Sequence, residues 1–285
     1  MRQLHFSTLL LVALISCACS VRPPEVDTSL FKGLPEPPEG YHWELNPAYS
    51  DEFGGDKLDA EVWHDRSPYW VNGRPPATFR AATVSVKDGF LQIRNQPLRP
   101  VTEKYHIAGG AVASVAKSAK FGYFSARMKA SKISMSSTFW MKNKVKDGCK
   151  QEQQELDIVE IVGKRIRGGD FNNVMHVNTH VFQFDCDGNK EVLSRGNTAP
   201  LVPAATDAFH TYACWWVDEN TIHYYLDDKF QFTVNPKSPF DHPMYMHLVT
   251  ETYNWEDPPS DEELLNDEIN TTYYDWVRSF RLVKS

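Results

Sequence analysis

The chain has 285 residues, 41% of them hydrophobic, which is enough apolar material for one large core and excludes disorder over most of its length. A formal net charge of −7 argues against nucleic acid as a partner. Eighteen prolines, fifteen glycines and eight tryptophans, with little uninterrupted helical pattern, favour an all-β fold in which turns recur between short strands.

Residues 1–17, "MRQLHFSTLLLVALISC", carry one arginine, then an apolar run short for a membrane span, then small residues and a cysteine. That is the order of a secretory signal. Leu14-Ile15-Ser16-Cys17 resembles a bacterial lipobox, in which cleavage precedes the cysteine and Cys17 takes the lipid; an ordinary cleaved signal is the alternative. Either reading exports the protein, as an outer-membrane or cell-surface lipoprotein or else to the periplasm or medium. Membrane contact is then through the N-terminal lipid alone. Residues 18–40 are rich in proline and acids, the composition of a semi-extended tether, and the folded domain is expected over 41–285.

Within that domain, runs such as "TVSV", "FLQIRN", "GAVASVA", "SSTFWMK", "NVMHVNTHVF", "HTYACWWV" and "YYDWVRSFRLV" alternate with period two or are bulky and aliphatic. About a dozen such runs without a domain-scale linker predict one sandwich or barrel. Only "SDEELLNDE", residues 260–268, reads as helix, with Ser260 as its cap. The stretch "KNKVKDGCKQEQQ" reads as a loop, as does "FDCDGN", which leaves pairing of Cys149 with Cys186 open. Cys214 reads as a buried thiol. No CxxC or His/Cys ligand spacing points to zinc.

The segment "QELDIVEIVG", residues 154–163, places Glu155, Asp157 and Glu160 among four β-branched aliphatics. In a regular strand Glu155 and Asp157 share one face and Glu160 falls on the other. A single β-bulge after Asp157 returns Glu160 to the first face, with Leu156, one of Ile158 and Val159, and Ile161 turned to the core. A solvated acidic face and a calcium site are the competing readings. Three aligned acids without a cation repel, a solvent face more often mixes signs, and no EF-hand-like loop is present. The pattern suits glycosidic-bond chemistry, which needs one carboxylate at the anomeric carbon and one acid to protonate the leaving oxygen. Glu155 and Glu160 are the candidate pair, with Asp157 dividing their protonation states.

Glu-Leu-Asp-Ile-Val-Glu, preceded by "SSTFWMK", resembles the catalytic signature of glycoside hydrolase family 16. "SDEFGGDKLDAEVW" is similar to that family's opening segment and "TTYYDWVRSFRLV" to its closing strand, so the resemblance covers about residues 41–285. It implies a curved two-sheet β-jelly-roll with a concave substrate cleft. It also implies retaining cleavage, with Glu155 the nucleophile, Asp157 the assisting acid and Glu160 the acid/base. "SPYWVNGRPPATFRAATVSVKDGFLQI", "FGYFSARMKASKISMSSTFWM" and "TETYNWEDPP" are similar to the branch acting on red-algal galactans: agarases, porphyranases and some carrageenan or furcellaran hydrolases. "YW…GRPPA" leans toward the porphyranases, in which the positions matching Trp70 and Arg74 hold the sugar and its sulfate. An indole suits a sugar face and a guanidinium fork suits a sulfate.

The plainer readings are a core tryptophan for Trp70 and a surface arginine for Arg74. Trp140 is a candidate cleft floor, His176 and His180 candidate hydroxyl contacts or structural histidines, and Glu251 and Trp255 further candidates. The sequence departs from the branch in having lysines at 142, 144, 146 and 150 where porphyranases often carry an arginine. A lysine meets sulfate only as a point charge. No cofactor is required for this chemistry, and a structural calcium near Asp275 is carried over from the family. The expected partner is a sulfated or neutral algal galactan, met by a monomer. A non-catalytic carbohydrate-binding lipoprotein on the same fold and a transglycosylase are the rivals.

Overall fold

The structure is a computed structural model and describes residues 28–285. The signal at 1–17 with Cys17, and the tether as far as residue 27, lie outside the described residues. Residues 28–32 belong to one unit and contain a single 3₁₀ turn, Thr28–Phe31. Residues 33–285 form the second unit. It begins ahead of the expected boundary at Tyr41, and the Trp43 indole Nε1 donates to the Pro35 carbonyl at 2.7 Å. The end of the proline-rich stretch is therefore packed on the domain.

The strands are β1 Tyr41–Leu45, β2 Trp63–His64, β3 Ala77–Phe79, β4 Val84–Lys87, β5 Phe90–Arg94 and β6 Gln96–Pro97. There follow β7 Ile107–Ser114, β8 Gly122–Lys129, β9 Ser136–Asp147, β10 Lys150–Val162, β11 Val174–Phe184 and β12 Lys190–Pro200. The last are β13 His210–Asp218, β14 Thr221–Leu226, β15 Lys229–Val234, β16 Tyr245–Thr250 and β17 Thr271–Lys284. They make two sheets, ordered β15-β14-β13-β8-β17-β5-β4 with β1 on β17, and β12-β11-β10-β9-β16-β7-β2 with β3 and β6 on β7. The all-β sandwich expected from the sequence is the fold observed. The short helix α1, Asp261–Leu265, starts at a capping box in which Ser260 and Glu263 satisfy each other's backbone N–H groups.

One face of the second sheet packs on the first. Met175, Val177, Thr179 and Val181 of β11 are buried, while His176, Asn178 and His180 between them are only partly so. That is the alternation a half-buried strand requires. Leu156, Ile158, Val159 and Ile161 of β10 all join the main core with Phe139 and Met141 of β9 and Met246 and Leu248 of β16. The expectation that only one of Ile158 and Val159 would reach the core is corrected, because the bulge lets both pack there.

The stretch read as a loop, "KNKVKDGCKQEQQ", is instead a hairpin, paired from Lys150 opposite Asp147 to Glu155 opposite Lys142. Its two-residue turn is Gly148-Cys149, with Gly148 at φ 58°, the left-handed state that glycine supplies at the first position of a tight hairpin turn. Cys149, in this turn, is disulfide-bonded to Cys186 between β11 and β12. The bond ties two neighbouring hairpin tips together.

Candidate active site

Glu155, Asp157 and Glu160 lie on the face of β10 turned away from the core. Asp157 pairs with Trp140 and Val159 with Phe139, so one residue of β10 is extra against β9, and the same shift separates Asp157 from Glu160 against β11. This is the bulge that the acid spacing demanded, and it brings the three carboxylates to one surface.

Each acid has its own partners. Lys142 Nζ donates to Glu155 Oε2 at 2.6 Å. His180 Nε2 is 3.3 Å from Asp157 Oδ2, and its Nδ1 is 2.6 Å from Ser194 Oγ. Tyr253 Oη donates to Glu160 Oε1 at 2.8 Å, and Asn178 Nδ2 reaches Glu160 Oε2 at 3.4 Å. Asn178 lies opposite Gly196 of β12, where a Cβ would stand 2.1 Å from Asn178 Oδ1. Only glycine leaves that amide room.

Asp157 is 4% exposed, and burial first, then the charges of Glu160 and Glu155, push its carboxyl up to about 8, against the opposing pull of His180. Burial pulls the His180 imidazole down, but its hydrogen bond to Asp157 and the charges of the three acids outweigh this and raise it. Burial and the flanking glutamates thus favour a neutral Asp157 at the centre of the row, and the contact with His180 opposes this.

The acids open into a cleft of about 440 Å³ that also takes in Trp70, Arg74, Trp140 and Glu251. A larger hollow of about 670 Å³ near the hairpin tip, around Glu152, Gln183 and His242, contains none of the three acids. Trp140 is 6% exposed and stacks on His247, their centroids 4.2 Å apart, so it is a fixed floor. Burial, then the Lys142 charge, lowers the His247 imidazole to about 3, keeping that stack neutral. Trp70 stands edge-on to Trp140 at 5.9 Å.

The Arg74 guanidinium carbon lies 4.9 Å from the Trp70 ring and 5.0 Å from the Tyr253 ring. Its Nη1 is 3.3 Å from Glu251 Oε1, off the line of a hydrogen bond, and is left without another partner among the described residues. Glu251, 4% exposed, also accepts from the Arg74 backbone N–H at 3.1 Å. Glu251 therefore holds the arginine at the cleft wall.

The structure gathers Trp70, Arg74, Trp140, His180 and Glu251 around the acids. Trp255 is 42% exposed, stacked on Tyr253 at 4.5 Å, and lines an adjoining hollow with Phe171, Asn178 and His180. His176 is set back, stacked on Phe171 at 3.7 Å with Nε2 2.9 Å from the Asp170 carbonyl oxygen, so it braces the wall. Lys142, Asn178, Tyr253 and His247 were not singled out as site residues. For Lys142, Asn178 and His247 the one signal is period-two alternation on strands, which names a face but not its occupants, and Tyr253, in the loop after β16, carries none.

Among the described residues, atoms of Glu155, Asp157 and His180 lie within 4.8 Å of one another, close enough to share a cation. Lys142 already offsets the charge of Glu155. Asp275, to which a structural calcium is carried over from the family, is ion-paired to Arg127.

Residues 43–282 match the family described as "Beta-porphyranase A-D, GH16 domain". The chain is 61% identical over 254 residues to beta-porphyranase E of Zobellia galactanivorans, covering 86% of this chain and 90% of that protein. It is 45% identical to beta-porphyranase B of Phocaeicola plebeius, covering 88% of each. The crystal structure of a beta-porphyranase from the human gut bacterium Bacteroides plebeius superposes with a TM-score of 0.84 at 43% identity, over 90% of this chain and 97% of that one. Beta-agarase A of Zobellia galactanivorans superposes at 0.76 with 22% identity, a likeness of fold alone.

Proposed function

The chain belongs to the beta-porphyranase domains of glycoside hydrolase family 16, and from that premise we propose that Glu155, Asp157 and Glu160 cleave internal β-galactosidic bonds of porphyran with retention. The protein is a glycoside hydrolase, and its partner is a polysaccharide. Glu155 attacks the anomeric carbon while Glu160 gives its proton to the glycosidic oxygen, breaking the bond and leaving a glycosyl-enzyme. Glu160 then takes a proton from a water that attacks the same carbon, and Glu155 departs with its charge. Asp157 lies between them in contact with His180, and burial with the charges of Glu160 and Glu155 favours its neutral form beside the nucleophile.

The observation that carries this reading is the bulge, which sets all three carboxylates on the cleft face with the middle one buried. The same observation weighs against a non-catalytic binding protein, which needs no such row. Preference for porphyran over agarose is supported by the Arg74 guanidinium, which is partly exposed in the cleft of the acids and held between Trp70 and Tyr253.

The test is release of reducing ends from porphyran, agarose, furcellaran and κ-carrageenan side by side. Porphyran is expected to lead. Agarose leading would keep the acids and remove Arg74 from specificity, and silence on all four would sink the hydrolase assignment. Export with a lipid on Cys17 belongs to the same proposal, supported by the lipobox-like sequence and by a disulfide that an oxidising compartment would preserve. Labelled fatty acid incorporated by the full chain but not by Cys17→Ala is the expected result.

A further inference from the structure

Arg74 is one cation of the cleft, and two more lie beyond Glu155: Lys142 in the same cleft and Lys190 in the adjoining hollow, beside Asp185 and Glu191. Lys142 of β9 and Lys190 of β12 come from strands on either side of β10 and β11 and converge on one ring, Phe182 of β11. Their ammonium nitrogens stand 5.2 and 4.6 Å from its centroid, and Lys190 is also 5.9 Å from Phe184. Register places these groups on the acid face, since Glu155 lies opposite both Lys142 and His180, and Phe182 is two residues past His180. Phe182 and Lys142 line the same cleft as the acids. Val192, opposite Phe182, is 47% exposed and extends the apolar floor.

The charges on this surface are unequal. Lys142 is matched by Glu155, whereas Lys190 makes no ion pair among the described residues. Two ammonium groups over one phenyl ring gain cation–π attraction but repel each other, and an anion between them would relieve that repulsion. The Cys149–Cys186 disulfide fixes the two hairpin tips that bear this surface, so little ordering is left for a ligand to impose.

We propose that Lys142, Phe182 and Lys190 form a second sulfate-ester subsite, at the Glu155 end of the acid row, while Arg74 serves a sulfate at the Tyr253 end. The sugar's C–H face lies on Phe182 and the ester's oxygens meet the two ammonium groups. This rests on the porphyranase reading and adds a second recognised sulfate to it. The two ends recognise sulfate differently, because lysines act as point charges and Arg74 as a planar fork.

The experiment measures kcat and KM of the purified protein and of Lys190→Gln on porphyran and on the same polysaccharide after desulfation, at low and high salt. Lys190→Gln is expected to raise KM on porphyran about two- to fivefold at low salt, the size of one solvent-exposed charge contact. It should leave kcat and the desulfated substrate unchanged and flatten the salt dependence. Phe182→Leu should raise KM on both substrates. A Lys190→Gln protein that matches the parent on porphyran, or loses equally on both substrates, overturns the subsite. A parent protein inactive on porphyran defeats the underlying assignment itself, which separates the two failures.

Discussion

The two faces of strand β10 carry opposite kinds of side chain. On one face Leu156, Ile158, Val159 and Ile161 join the buried hydrophobic core of the sandwich. On the other, Glu155, Asp157 and Glu160 line the cleft, each contacted by a polar partner: Lys142, His180 and Tyr253 in turn. The core face is built for close packing and the cleft face for opposed charges that are costly to assemble. One strand supplies both because the bulge resets its parity in mid-course.

Substitutions at adjacent positions should therefore fail in different ways. Leu156→Asp buries a carboxylate in the sandwich core and is expected to cost about 4 kcal/mol or more, leaving no cooperative thermal transition near the parent's. Glu155→Gln, one residue away, should keep that transition and lower kcat on porphyran by about 10³-fold or more. A folded, active Leu156→Asp or an active Glu155→Gln would remove the division between the faces.

Asp157→Asn tests whether the cleft face is assembled at a cost to stability. The Asp157 carboxyl is raised from 3.8 to about 8, so the folded protein binds a proton that the unfolded chain releases between those values. Stability contributed by this group is present at acid pH and falls as pH rises through that window. Asn removes the titration, and the variant should be more stable than the parent at pH 8 by about 1–2 kcal/mol while losing about 10²-fold in kcat. Melting curves of parent and variant that stay parallel from pH 5 to 8.5 would contradict the buried proton.

What could be read from sequence follows from the range of the interactions. The acid row was legible because the parity of six consecutive residues demands a bulge, and the α1 cap because Ser260 and Glu263 are three apart. The hairpin was missed because lysines and glutamines masked the Gly148-Cys149 turn. The cleft walls were not legible. Tyr253 and Glu160 meet across 93 residues, and Lys142 reaches Glu155 only through the exact opposition of two strands. Trp70 and Arg74 could be named through resemblance, but not that Glu251 would hold the arginine.

That buried pair yields the smallest effect. Burial, with the charges of Glu155 and Glu160, pushes the Glu251 carboxyl up to about 8 despite Arg74 and its N–H. Below that pH a neutral Glu251 leaves Arg74 its full charge for a sulfate, and above it the pair is neutral to an incoming anion. KM on porphyran should rise about two- to threefold between pH 7 and 9, and KM on desulfated porphyran should not. Asp157 titrates in the same range, but it acts on the reacting bond and alters kcat for both substrates alike, so the ratio of the two KM values isolates Glu251. Glu251→Gln, which keeps the contact with Arg74 and cannot ionise, should make that ratio independent of pH. A ratio that still changes in Glu251→Gln would place the anion's pH sensitivity elsewhere in the cleft and leave Glu251 with packing alone.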